Sequence, residues 1–184
     1  ARKKALLDGY NDTMLSVAGV TSTNITYSDG HKRVIFASSE GSYIEQERMD
    51  VVSRLAATAR RNGDMQQASM SLGSLGDFSY IESMGEMAQE MGERAVALLN
   101  APYVKAGTYP VVLDPVLAGV FCHEAFGHLS ESDFVYENER MKEIMVLGRQ
   151  FGQPHLNIGD GAAVPGLRGS YKYDDEGVAA HKTD

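Results

Sequence analysis

The chain has 184 residues, and its 17 Lys and Arg against 25 Asp and Glu give a formal net charge of −8. Such an acidic chain has no cationic footprint for a phosphate backbone, which excludes nucleic acid as an expected partner, and 43% hydrophobic with 23% charged residues is the composition of a globular protein. No apolar run approaches the roughly eighteen residues that span a bilayer, the opening residues lack the order of a signal sequence, and the single Cys122 fits a reducing compartment; the expectation is a cytoplasmic protein with no membrane partner.

In chain order, Ala5, Leu6, Leu7, Tyr10, Met14, Leu15 and Val17 recur near the helical period, which predicts a helix over 2–17 with Gly9 as its weak point. From 19 to 72 short alternating runs are broken by turn signals at Ser28-Asp29-Gly30, Ser39-Glu40-Gly41 and Asn62-Gly63-Asp64, which predicts an antiparallel meander of four or five strands. Ser71 to Ser79 reads as a loop. Met84, Met87, Met91, Ala95, Leu98 and Leu99 then mark the core-facing side of a helix over 81–99.

Tyr109 to Leu113 reads as a short buried strand, and Asp114-Pro115 as a helix start, with Asp at the cap and Pro in the first turn. That helix runs through Val116, Leu117, Val120 and Phe121 into a histidine-bearing segment. Beyond 148 the chain is rich in Gly and Pro. The fold class is α+β: an antiparallel β-meander packed with helices, the motif-bearing helix following a short buried strand. Residues 1–147 read as most of an amino-terminal α/β domain, and 148–184 as the loop-rich entry to a truncated carboxy-terminal domain. With Ala1 in place of an initiator Met and a stop in loop-like sequence, the chain reads as a piece of a longer polypeptide.

Chemistry concentrates in His123-Glu124-Ala125-Phe126-Gly127-His128, an H-E-x-x-x-H pattern. Two imidazoles suit a borderline cation such as zinc, and an adjacent carboxylate suits a general base. The spacing, however, is i, i+5. On a regular α-helix that is about 500°, leaving the rings about 140° apart and unable to share an ion. The pattern therefore predicts a π-type turn or unwinding at Phe126–His128, where Gly127 resists distortion least. The competing reading of the same residues is a helix end with two structural histidines.

A third ligand is also required, for which Cys122, Glu131 and Asp133 are the nearby candidates. Cys122 sits about 100° round the helix from His123 among apolar residues, as a structural thiol would. Glu131 and Asp133 read either as ligands, as partners orienting an imidazole, or as a solvated helix exit. His31, His155 and His181 lie in polar or loop sequence and read as surface histidines.

Tyr109-Pro110-Val111-Val112-Leu113-Asp114-Pro115, the histidine motif, Glu131 with Asp133, and Asp174-Asp175-Glu176-Gly177 together resemble the TldD/PmbA family of zinc-dependent proteases, also labelled modulators of DNA gyrase. Lys4-Ala5-Leu6-Leu7 and Ala95-Val96-Ala97-Leu98-Leu99 fit the same family, so the resemblance covers most of the chain. Ser132 departs from it, standing where the family commonly has Gly between the two acidic residues.

The resemblance implies that His123 and His128 are zinc ligands, that Glu124 is the catalytic glutamate, and that the third ligand is a cysteine outside this chain. It further implies a TldD-like catalytic subunit that acts on peptides or unfolded polypeptides, as a homo-oligomer or paired with a PmbA-like partner. The alternative is a non-catalytic binding or regulatory module of a gyrase-modulator or peptide-maturation complex, which has no need of an intact H-E-x-x-x-H.

Overall fold

The computed structural model describes residues 1–183, and its contacts divide the chain into two units, Ala1–Val104 with Val164–Ala179, and Lys105–Ala163 with the residues from Ala180 onward. The fold is α+β. In the first unit β1 (Val20–Ala37), β2 (Tyr43–Arg61) and β3 (Asp64–Ser74) form an antiparallel sheet in the order β1-β2-β3. Asn62-Gly63 makes the second hairpin turn. Their φ angles of 52° and 94° put both residues in the left-handed region that a type I′ turn requires, with Arg61 paired to Asp64 on either side.

The meander has three long strands rather than the four or five expected. Asp29-Gly30, read as a turn, lies inside β1, where Asp29 pairs with Val51 and Gly30 with Asp50. Turn propensity is local, whereas β2 offers an unbroken partner on this side, and Lys3 Nζ, 2.7 Å from Asp29 Oδ1, holds the exposed carboxylate beside the strand. The first hairpin turns instead at Ser38–Ser42, where Gly41 takes φ 94° and Ser38 N donates to Ser42 O over 3.0 Å.

β2 uses both of its faces. Val51, Ser53, Leu55, Ala57 and Ala59, spaced by two, are buried. Against this face pack Tyr10 and Met14 of α1 (Arg2–Leu15), Ile81 of α2 (Ser79–Glu82), Met84, and Ala88, Met91 and Ala95 of α3 (Gly85–Leu98). Each large side chain removed from water here contributes about 1.5–3 kcal/mol. The helix expected over 81–99 is thus broken between α2 and α3 at Ser83-Met84. Tyr10 spans the break: its hydroxyl donates to Ile81 O over 2.6 Å and accepts from Met84 N at 3.2 Å.

The alternate residues toward the start of β2 hold the segment 164–179. Arg168 Nε and Nη2 donate to the two carboxylate oxygens of Asp50 over 2.7 and 2.9 Å, Arg48 donates to Ser170 O over 3.2 Å and to Arg168 O, and Gln46 donates to Tyr173 O over 3.3 Å. Within that segment Asp174 Oδ1 accepts from Glu176 N and Val178 N at 2.9 and 2.8 Å, so the first acidic residue of Asp174-Asp175-Glu176-Gly177 builds a tight turn.

The second unit holds α4 (Pro115–Cys122), a π turn (His123–Gly127), a 3₁₀ turn (His128–Ser130), α5 (Ser132–Glu137), α6 (Glu139–Ile144), and the short pair β4 (Asp160–Gly161) and β5 (Lys182–Thr183). The buried strand expected at Tyr109–Leu113 does not form. The segment has no strand partner among the described residues, and Val112 is 99% exposed; an apolar run makes a strand only where a neighbour supplies the ladder. Among the described residues no helix is long and apolar enough to cross a membrane.

Candidate metal centre

α4 starts where the sequence predicts. Asp114 is the cap residue, its Oδ1 accepting from Leu117 N at 2.7 Å, and Pro115 occupies the first turn, where a missing N–H costs nothing. The α-helical pattern holds to Cys122 and then widens. His128 N donates to His123 O, an i+5 to i bond that defines a π turn over His123–Gly127. This is the irregularity that the i, i+5 spacing demands.

Its consequence is to bring the two histidines together edge to face, with ring centroids 4.3 Å apart and planes at 66°. Gly127 is not there for space or strain. Its φ is −54°, and a Cβ would meet nothing nearer than 3.8 Å.

His123, Glu124 and His128 each bring a ligand atom within 4.8 Å of the others, and among the described residues no other three His, Cys, Asp or Glu do so. All three are exposed. Glu124 Oε2 is 3.7 Å from His128 Nε2, while Glu131 Oε1 is 2.7 Å from His128 Nδ1. The hydrogen bond to Glu131 and then the charge of the same carboxylate, with a smaller contribution from Glu124, hold the His128 pKa above the usual histidine range against the opposing effect of desolvation.

The other candidate ligands separate. Cys122, half-buried, lines an apolar cavity of about 530 Å³ with Phe121, Phe126, Phe151 and Leu156 and stands outside the ligand-atom cluster. Asp133 Oδ1 accepts from Phe134 N over 2.8 Å in the first turn of α5. Glu131 does not join the ligand-atom cluster but holds the far nitrogen of His128. The sequence left that role open among three readings; the usable signal is the i, i+3 spacing, which a 3₁₀ turn eclipses.

The two imidazoles are borderline donors that suit zinc and stay open to solvent for further ligands, with the Glu124 carboxylate beside them. The exposure also leaves the cluster accessible to water.

Residues 1–99 match the family model of the PmbA/TldA metallopeptidase central domain, and residues 106–184 that of the PmbA/TldA metallopeptidase C-terminal domain. A metalloprotease of Synechocystis sp. is 48% identical over 184 residues, which is 100% of this chain and 40% of the relative. A metalloprotease of Methanocaldococcus jannaschii is 37% identical over 182 residues, 99% of this chain and 40% of the relative. A protein of Saccharolobus solfataricus named a zinc metalloprotease TldD homolog is 30% identical over 161 residues, 86% of this chain and 36% of that protein. The chain thus spans about 40% of the length of these curated relatives.

Proposed function

This chain belongs to the PmbA/TldA metallopeptidase family, and on that footing we propose that the full-length protein is a cytoplasmic zinc-dependent metallopeptidase that cleaves peptides or unfolded polypeptides. The observation that carries the reading is the π turn, which brings the imidazoles of His123 and His128 together with the Glu124 carboxylate between 123 and 128.

His123 and His128 hold the metal, and the third protein ligand, a cysteine, comes from outside these residues. When bound, zinc supplies Lewis-acid polarisation of water and of the scissile carbonyl. Glu124 is the general base. Its carboxylate, exposed and 3.7 Å from His128 Nε2, takes the proton of the attacking water and returns it to the leaving amine. The assembly is a homo-oligomer or a pair with a PmbA-like partner.

The test is Glu124→Gln in the full-length protein. Zinc content is expected to stay unchanged while kcat on an unstructured peptide falls by about 10²–10⁴-fold, the usual share of a positioned acid–base group. Full activity in a zinc-loaded Glu124→Gln protein contradicts the base assignment. A zinc-loaded wild-type protein that binds such peptides without cutting them contradicts the peptidase.

A further inference from the structure

Two irregular turns in succession align three side chains. The π turn, closed by the bond from His128 N to His123 O, sets the His128 ring edge-on to that of His123. The 3₁₀ turn that follows has about three residues per revolution, so residues i and i+3 eclipse, and Glu131 comes beneath His128. Ser130 Oγ donates to Gly127 O over 2.9 Å and closes this turn. Glu131 itself takes extended backbone angles (φ −60°, ψ 128°) and starts α5, its carbonyl accepting from Val135 N at 3.0 Å. Its backbone is therefore fixed on both sides, and its Oε1 lies 2.7 Å from His128 Nδ1.

The two nitrogens of His128 face different carboxylates. Glu131 meets Nδ1 at hydrogen-bond distance, and Glu124 lies 3.7 Å from Nε2. An ionised carboxylate only accepts hydrogen bonds, so the neutral ring next to Glu131 carries its proton on Nδ1 and leaves the Nε2 lone pair free.

We infer that Glu131 is a positioning residue, which fixes the tautomer and rotation of the His128 ring so that Nε2 is the atom offered to a cation. This rests on the metal reading above. A carboxylate behind a ligating imidazole is a general device of metal sites, where its loss costs about 10–100-fold in affinity. The contrasting role, an exposed i, i+3 ion pair, contributes little to stability and nothing to metal affinity.

The test uses the full-length protein as wild type, Glu131→Ala and Glu131→Gln. Zinc affinity is measured by competition with a chromophoric chelator, and the His128 tautomer by ring ¹⁵N NMR of the metal-free protein, for variants whose circular dichroism matches wild type. Glu131→Ala is expected to weaken zinc binding by roughly 10–100-fold and to erase the Nδ1–H signature. Glu131→Gln, whose amide oxygen still accepts from Nδ1, recovers most of both. Zinc affinity and ring spectrum unchanged in Glu131→Ala overturn the inference. A wild-type protein that takes up no zinc overturns the metal reading instead, and the ring spectrum then decides the role of Glu131 alone: an Nδ1–H signature lost in Glu131→Ala supports it, and one that persists overturns it.

Discussion

Replacing Gly92 by alanine opposes two effects of similar size. Gly92 lies buried in α3, and helix propensity alone favours Ala by about 1 kcal/mol. A Cβ at this position, however, would lie 2.7 Å from Val17 Cγ2, 3.2 Å from Val17 Cβ and 3.3 Å from Met14 O. The first distance forces a movement. Val17 is β-branched, with little freedom at χ1, and the third neighbour is backbone, so the strain cannot be relieved by one side-chain swing. Overpacking of this kind costs about 1–3 kcal/mol, so after the propensity gain of about 1 kcal/mol the net expectation is a loss of up to about 2 kcal/mol. For a unit of this size that is a melting temperature lower by roughly 4 °C per kcal/mol. Thermal unfolding by circular dichroism of wild type, Gly92→Ala, Val17→Ala and the double variant tests it. With Val17 shortened, Gly92→Ala should be neutral or stabilising. A higher melting temperature for Gly92→Ala in the wild-type background refutes the close approach of Val17 and Met14 to α3.

Tyr10→Phe removes the hydroxyl that satisfies Ile81 O and Met84 N, and leaving such buried groups unpaired costs about 1–3 kcal/mol; urea unfolding should show it, and an unchanged midpoint contradicts the tie. Asp50 behaves in a pH-dependent way, because the Arg168 guanidinium holds its carboxyl below the usual carboxylate range. A depressed folded pKa stabilises above the unfolded value of about 3.9, and the contribution is lost as pH falls through the lower folded value. Asp50→Asn should therefore melt below wild type at pH 7, with the gap closing toward pH 2; a gap independent of pH contradicts the pairing.

The local signals in the sequence were sound where the chain itself supplies the partner. Asp114-Pro115 caps its own helix, Asn62-Gly63 closes its own hairpin, and the i, i+5 histidines announce the π turn that reconciles them. The readings that failed depend on partners distant in sequence. Asp29-Gly30 stays in a strand because Val51 and Asp50 lie opposite, and Tyr109–Leu113 has the pattern of a strand without a neighbour. The pairing of Arg168 with Asp50 joins residues 118 apart and leaves no periodic trace, so a stretch that reads as loop becomes part of the first unit. Glu131 was visible as a candidate, but its role depends on a 3₁₀ turn that composition does not specify.

The most direct test of the metal centre is elemental mass spectrometry of the full-length protein as wild type, His123→Ala and His128→Ala, purified in parallel. The expected result is zinc near one equivalent in wild type and little in either variant, each of which lacks one of the two histidine ligands. Zinc retained at full occupancy in both histidine variants would place the metal elsewhere and contradict the site.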